Sequence, residues 1–465
     1  MQPVGVKMIL QVTDFHLDLD YDVHGDPQKM CHVSASRSRR TMLSENAQLG
    51  NFGDYMCDSP KNLISFSLSE AQRLTNPPND PLDLILWTGD NTPHIDDYSM
   101  EYVVNAIGNT SSILFDAFPN TPILPTFGNH DYAPANAFVS ASDLYSSVFK
   151  IWSSHIMAGG PDNEKLFKLG GYYKYDLGKT AKILVLNTNL YYAANEAYSN
   201  FSDPNDPAEQ FAFMESELAK AQNCSTNNCI STIHIVAHIA PGAFERTPNI
   251  TWFRPEYNER FLQITAKYAS TIGWMIFGHH HTDTFHIVRD ENDKPVQLLL
   301  MAPAVTPWFS DLPGAGSNNP SFRLFDTDDE SQKYREIVTY AINLDGLNAG
   351  RTPHFSPLYS FTLGYGLKEI TAQSMDDLIT RMKADDSLFN RYIGYNSVMK
   401  DVKMPVGQYR LGQFCSMQYS SYAPYNECLQ TAAATTTVST TTESSGHTLT
   451  LLYFISILIA IAMRL

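Results

Sequence analysis

The chain has 465 residues, 43% of them hydrophobic and 12% aromatic, enough to bury one large α/β core with a smaller appendage. Its 32 Lys and Arg against 49 Asp and Glu leave a formal net charge of −17. That balance argues against binding a nucleic-acid polymer, which is held by clustered cations that displace its counterions, and leaves a small phosphorylated substrate open.

In chain order, five short apolar runs read as strands buried on both faces, and each leads into polar residues able to hold a metal. Residues 6–12 lead to Asp14-x-His16, 82–87 to Gly89-Asp90, and 123–127 to Gly128-Asn129-His130-Asp131. Residues 233–237 lead to His238, and 272–277 to Gly278-His279-His280-His281. Open α/β sheets place ligand-binding groups at the carboxyl ends of their strands, so these five ends are expected to meet on one rim. Side chains of an extended chain alternate, which turns Asp14 and His16 one way, likewise His279 and His281, and turns His280 away.

Imidazole nitrogen with carboxylate oxygen suits zinc, and also iron or manganese, whereas calcium or magnesium would take almost only oxygen. Zinc is the expected ion. Two such ions about 3.5–4 Å apart can bind both non-bridging oxygens of a phosphate, activate water and offset charge on the leaving oxygen. Asp90 is the natural carboxylate to bridge them. His94 and His130 lie beside the cluster without fitting its spacing, and are assigned to leaving-group and transition-state work. Taken singly, the segments read as a turn, a core histidine or a surface histidine tract. Their conjunction, each at a strand end, points instead to phosphoester hydrolysis.

The order of these motifs resembles the calcineurin-like metallophosphoesterase superfamily. Finer phrases resemble its acid sphingomyelinase-like phosphodiesterase branch: VTDFHLDLDY from Val12, GDYMCDSP from Gly53, LWTGDNTPH from Leu86, FGNHDYAP from Phe127, GHHHTDTF from Gly278 and APAVTPW from Ala302. The resemblance implies a four-layer αββα sandwich holding two Zn²⁺. Asp14, His16, Asp90 and His281 would bind one ion, and Asp90, Asn129, His238 and His279 the other, with His94 and His130 as the catalytic histidines. Pro93 stands where purple acid phosphatases carry an iron-binding tyrosine, which argues against a ferric tyrosinate site. No saposin-like module precedes the first strand, so membrane sphingomyelin is expected to be at best a weak substrate and soluble nucleotides or related phospho-compounds better ones. A surface signalling or binding protein that modulates receptors or lipid domains is the alternative from another class.

The expected organisation is a catalytic domain over residues 1–335 and a Tyr-rich C-terminal subdomain over 336–430, with a helical pattern across 374–384. A Ser/Thr-rich stalk over 431–448 and an apolar tail over 449–465 follow. The tail's fifteen-residue apolar stretch falls short of the ~20 residues that cross a bilayer and reads as a GPI-attachment signal. The expected place is therefore the outer face of the plasma membrane, held by a lipid anchor, as a monomer. Residues 1–7 hold no signal-peptide stretch, so a leader is expected to be missing from the given sequence. Six cysteines suggest disulfides, with Cys31–Cys57, Cys224–Cys229 and Cys415–Cys428 the local pairing among fifteen possible. Four glycosylation sequons, at Asn109, Asn200, Asn223 and Asn249, agree with the secretory path.

Overall fold

The computed structural model describes residues 6–33, 48–75, 82–226, 229–328, 333–400 and 402–437. Its strands, in chain order, are β1 (Val6–Val12), β2 (Leu84–Trp87), β3 (Ile123–Pro125), β4 (Tyr173–Leu177), β5 (Ala181–Val185), β6 (Thr232–Val236), β7 (Ile272–Phe277), β8 (Thr284–Arg289), β9 (Pro295–Met301), β10 (Ser321–Asp328), β11 (Tyr334–Ala341) and β12 (Ser356–Ser360). They form two six-stranded mixed sheets, ordered β12-β11-β10-β1-β2-β3 and β4-β5-β6-β7-β9-β8. All five apolar runs are strands. β1, β2 and β3 lie parallel in the first sheet, and β6 and β7 lie parallel in the second.

The sheets face each other across the core. Gln11 on β1 is fully buried and donates to Phe277 O on β7 at 2.8 Å, joining the two layers near their carboxyl ends. Helices Lys61–Thr75, Met100–Ala117 and Asp143–Ile156 pack in succession on the first-sheet side. Gln210–Gln222, Pro255–Lys267, Ala372–Ala384 and Gly407–Gln418 pack on the second sheet, completing the four-layer arrangement. Serine caps set two of these helix starts: Ser99 accepts from Tyr102 N, and Ser142 from Leu144 N.

The expected boundary after residue 335 falls inside β11, so the C-terminal portion shares a sheet with the catalytic portion. Residues 431–437, expected to open the stalk, continue helix Tyr422–Thr437. The rest of the stalk and the apolar tail lie outside the described residues. Among the described residues no helix is long and apolar enough to cross a membrane. The three local disulfides are present. Asn200, Asn223 and Asn249 are exposed, whereas Asn109 is half-buried on its helix, with its amide bonded to Asn105.

A buried ion pair fastens the two layers. Arg323 on β10 donates to Asp283 Oδ1 at 2.6 Å and to Met301 O at 3.1 Å, and Tyr359 donates to the same Asp283 oxygen at 2.6 Å. Arg323 is 0% exposed and Asp283 1%. Removing one partner of such a pair strands the other charge in the core, so Arg323→Ala is expected to lower folding stability by about 3–5 kcal/mol. Chemical denaturation of the full chain checks this, and a loss below ~1 kcal/mol contradicts it.

Candidate active site

The seven expected ligands meet where the carboxyl ends of the two sheets adjoin. Asp90 Oδ2 lies 3.5 Å from His16 Nε2 and 3.1 Å from His238 Nε2, while its Oδ1 accepts the His130 amide at 2.9 Å. On one side His16 Nε2 and His281 Nε2 stand 3.2 Å apart, and His281 Nε2 is 3.4 Å from Asp14 Oδ1. On the other, His238 Nε2 is 3.1 Å from Asn129 Oδ1, and the donor atoms of Asp90, His238 and His279 lie within 4.8 Å of one another. One carboxylate therefore faces two donor groups.

Neighbouring groups aim each donor. His16 Nδ1 donates to Thr92 O at 2.7 Å and His238 Nδ1 to Thr88 O at 2.6 Å, which turns both Nε2 atoms inward. Asn129 Nδ2 donates to Asn136 Oδ1 at 2.9 Å, pointing its oxygen at the site. Buried Asp14 Oδ1 and His279 Nε2 have no hydrogen-bond partner. Buried polar atoms are ordinarily paired, so these orphaned atoms, with the carboxylate and imidazole donors around them, fit divalent cations.

The backbone that delivers these groups is not extended. Asp14, His16, Asp90, His279 and His281 have φ of 50°, 41°, 58°, 70° and 57°. Alternation along an extended chain is therefore not what turns Asp14 with His16 or His279 with His281; left-handed residues just past the strands do. Such residues cost of order 1–3 kcal/mol each and gather at functional sites. Two loops also meet with no room for a side chain. A Cβ on Gly89, at φ +93°, would lie 2.5 Å from Gly128 N, and one on Gly128 would lie 2.0 Å from Asp90 Oδ1. Asp131 locks the same loops, accepting from the amides of Gly128, Asp90 and Asn91 at 2.9, 3.1 and 2.8 Å.

His94 and His130 flank the ligands, with ring centroids 4.3 Å apart. Sequence reasoning placed His94 here but missed its support. Asp58 is fully buried and lies 3.0 Å from His94 Nδ1, Thr306 Oγ1 donates to it at 3.1 Å, and Trp308 stacks on the His94 ring at 3.7 Å. Asp58 and Trp308 sit in the GDYMCDSP and APAVTPW phrases, the one signal that could have singled them out. His280 turns from the site to Glu245, 2.9 Å away.

Charge is set by burial and by Asp90. Burial, then His94, holds the His16 imidazole well below its usual range; burial, then His238, does the same to His279. His130 is pulled down to about 3 by burial and then by His94. Burial also works against a charged His238, but the facing Asp90 carboxylate outweighs it and raises that imidazole to about 9. Burial opposes the Asp90 carboxylate too, and His238 outweighs it, holding Asp90 well below the usual range.

In the metal-free protein His238 is thus protonated at neutral pH. Its contribution to stability is complete below ~6.5 and is lost as pH rises through about 9. The depressed His16 and His279 act oppositely, costing stability as pH falls below ~6.5. Because only neutral imidazole ligates, uptake of a divalent metal ion at pH 7.5 is expected to release about one proton from His238 where His238 is a ligand. Calorimetry in buffers of differing ionisation enthalpy measures it, and zero release contradicts the assignment.

Comparison with known proteins matches residues 8–283 to the calcineurin-like phosphoesterase family and 294–435 to the acid sphingomyelin phosphodiesterase C-terminal region. The chain is 33% identical to acid sphingomyelinase-like phosphodiesterase 3b of Homo sapiens, over 91% of this chain and 90% of that one. It is 31% identical to the human cyclic GMP-AMP phosphodiesterase SMPDL3A, over 92% and 91%. Identity to the sphingomyelin phosphodiesterase of Bos taurus is 26%, over 83% of this chain and 60% of that one. With these matches and a site fitted to divalent cations, the chain belongs to the acid sphingomyelinase-like phosphodiesterases of the calcineurin-like phosphoesterase family and is a metal-dependent phosphodiester hydrolase.

Proposed function

We propose that this hydrolase uses two Zn²⁺ to cleave phosphodiester or phosphoanhydride bonds of soluble nucleotides or related phospho-compounds at the outer cell surface. The observation that carries the reading is Asp90 Oδ2 between His16 Nε2 and His238 Nε2, 3.5 and 3.1 Å away, one carboxylate serving two donor groups. Asp14, His16, Asp90 and His281 are assigned to one ion, and Asp90, Asn129, His238 and His279 to the other. When bound, the pair supplies positive charge to the phosphate oxygens and activates water.

The chain's own residues do the rest. Thr92 O and Thr88 O hold the Nδ1 protons of His16 and His238, fixing the tautomer that ligates. His130, kept neutral by burial, faces the phosphate and donates a hydrogen bond to it. His94, with Nδ1 on Asp58, offers Nε2 to the leaving oxygen and delivers its proton.

A wider groove opens past His94 and His130 and is lined by Asp96, Asp97, Glu196 and Asp311. Those carboxylates repel an extended polyanion and favour a small substrate, as does the net charge of −17. The cyclic GMP-AMP phosphodiesterase among the relatives supports a nucleotide substrate. Three disulfides support an oxidising compartment, and the lipid anchor and monomeric state belong to the same reading.

Stripping and restoring zinc while following hydrolysis of bis-p-nitrophenyl phosphate, cyclic dinucleotides, nucleoside triphosphates and a phosphocholine lipid tests the proposal. The metal-free protein is expected to be inactive, zinc to restore it, and a nucleotide to be cleaved faster than the lipid. Zinc-loaded protein that turns over no diester would point to a surface binding role instead.

A further inference from the structure

Behind the loop that carries His279 and His281 lies a second, closed group of donors. His280 turns into it, with Nδ1 2.9 Å from Glu245 Oε2. His286 on β8 reaches the same space, its ring centroid 5.4 Å from that of His280. The donor atoms of Glu245, His280 and His286 all lie within 4.8 Å of one another. Glu245 and His286 are 0% exposed and His280 3%.

Glu245 is held in place: Thr282 Oγ1 donates to its Oε1 at 2.5 Å and Asn396 Nδ2 at 2.9 Å, so Oε2 is the oxygen left facing the imidazoles. The imidazoles are not satisfied. His280 Nε2 makes no hydrogen bond, and His286 has only a loose one, from a ring nitrogen to the Pro241 backbone, which leaves its other nitrogen unpaired. Buried polar atoms of folded proteins are almost always paired, so two imidazoles with unpaired nitrogens beside one carboxylate call for a partner that takes one nitrogen from each ring. Burial, then His280, pushes His286 down to about 3, which keeps it in the neutral form that ligates. Two imidazoles and one carboxylate oxygen are a donor set for zinc rather than for calcium or magnesium.

We propose that Glu245, His280 and His286 bind a further divalent cation of the zinc type, in a closed site distinct from the active centre. Its place in the chain gives it a purpose. His280 sits between two active-site ligands, and His286 is anchored in the second sheet, so an ion shared by them ties the ligand-bearing loop to β8. The spacing of His279 and His281 would then be fixed from behind.

Metal content of the full-length protein tests this, after saturation with zinc and removal of excess by gel filtration. The wild type is expected to retain at least one equivalent more than His286→Gln. The Asp90→Asn protein, with its active centre weakened, is expected to retain one tightly held ion. Loaded with cobalt, it should show the intense visible absorption of a tetrahedral nitrogen and oxygen site, abolished by adding His286→Gln. Equal zinc content in wild type and His286→Gln overturns the proposal. If His286→Gln does not fold, Glu245→Gln added to the Asp90→Asn protein decides: loss of one retained ion and of its cobalt absorption supports the site, and unchanged metal content overturns it. Failure of the two-ion reading would show instead as wild type and Asp90→Asn retaining the same amount.

Discussion

Asp90→Asn is expected to lower turnover of a nitrophenyl phosphodiester by on the order of 10³-fold, the scale of losing a preorganised electrostatic contact at the reacting centre, and to weaken metal retention. Size and shape are almost unchanged by the substitution, so packing is not the cause. The variant loses a full negative charge at the one oxygen that lies between His16 and His238. It also sets an amide against groups that need an acceptor, since Oδ1 already takes the His130 amide. A second readout separates this from misfolding. The Asp90 charge is what overcomes burial to raise His238 to about 9, so in metal-free Asp90→Asn that imidazole should titrate well below its wild-type position. Metal analysis, steady-state kinetics and histidine NMR together decide the matter. Full metal retention with less than about a tenfold loss would remove Asp90 from its assigned place.

Much of the site was readable because its carriers are short strands buried on both faces. Leu84–Trp87, for example, is buried at every position, and such a run announces itself without an alignment. Helix Ala372–Ala384 was likewise visible in its apolar spacing, with Met375, Leu378, Ile379 and Met382 on the buried face. Strand β10 was not. It carries Arg323 and Asp326, and a strand holding an arginine reads as exposed until its partner Asp283, 40 residues away, is brought beside it. The left-handed turns at Asp14, His16, Asp90, His279 and His281 were hidden for a related reason. Only the two glycine contacts hint at them, and a glycine says that space is short without saying what fills it. Asp58 was hidden by distance: it lies 36 residues from His94 and 248 from Thr306, and neither spacing carries a local pattern.

His94→Ala is expected to cost about 10²–10⁴-fold on a diester with a poor leaving group, such as a nucleotide, and about tenfold or less on a nitrophenyl diester. The difference follows from its proposed role. A ribose alkoxide must be protonated as it departs, whereas nitrophenolate leaves without help, so only the first substrate needs a general acid at the place proposed for His94. Asp58 and Trp308 make the ring ready for this, the carboxylate fixing Nδ1 at 3.0 Å and the indole stacked at 3.7 Å holding its plane. Asp58→Asn should therefore reproduce the same leaving-group dependence at a smaller scale, about 10–100-fold, through a ring that still occupies its place but no longer keeps one tautomer. His130→Ala should behave differently. In its proposed role a neutral His130 imidazole facing the phosphate would serve every substrate alike, so its loss should slow nitrophenyl and nucleotide esters by similar factors. Plotting log kcat against leaving-group pKa for wild type and the three variants gives the test. A steeper slope for His94→Ala and Asp58→Asn, with an unchanged slope for His130→Ala, is the expected result; equal slopes throughout would move the general acid away from His94.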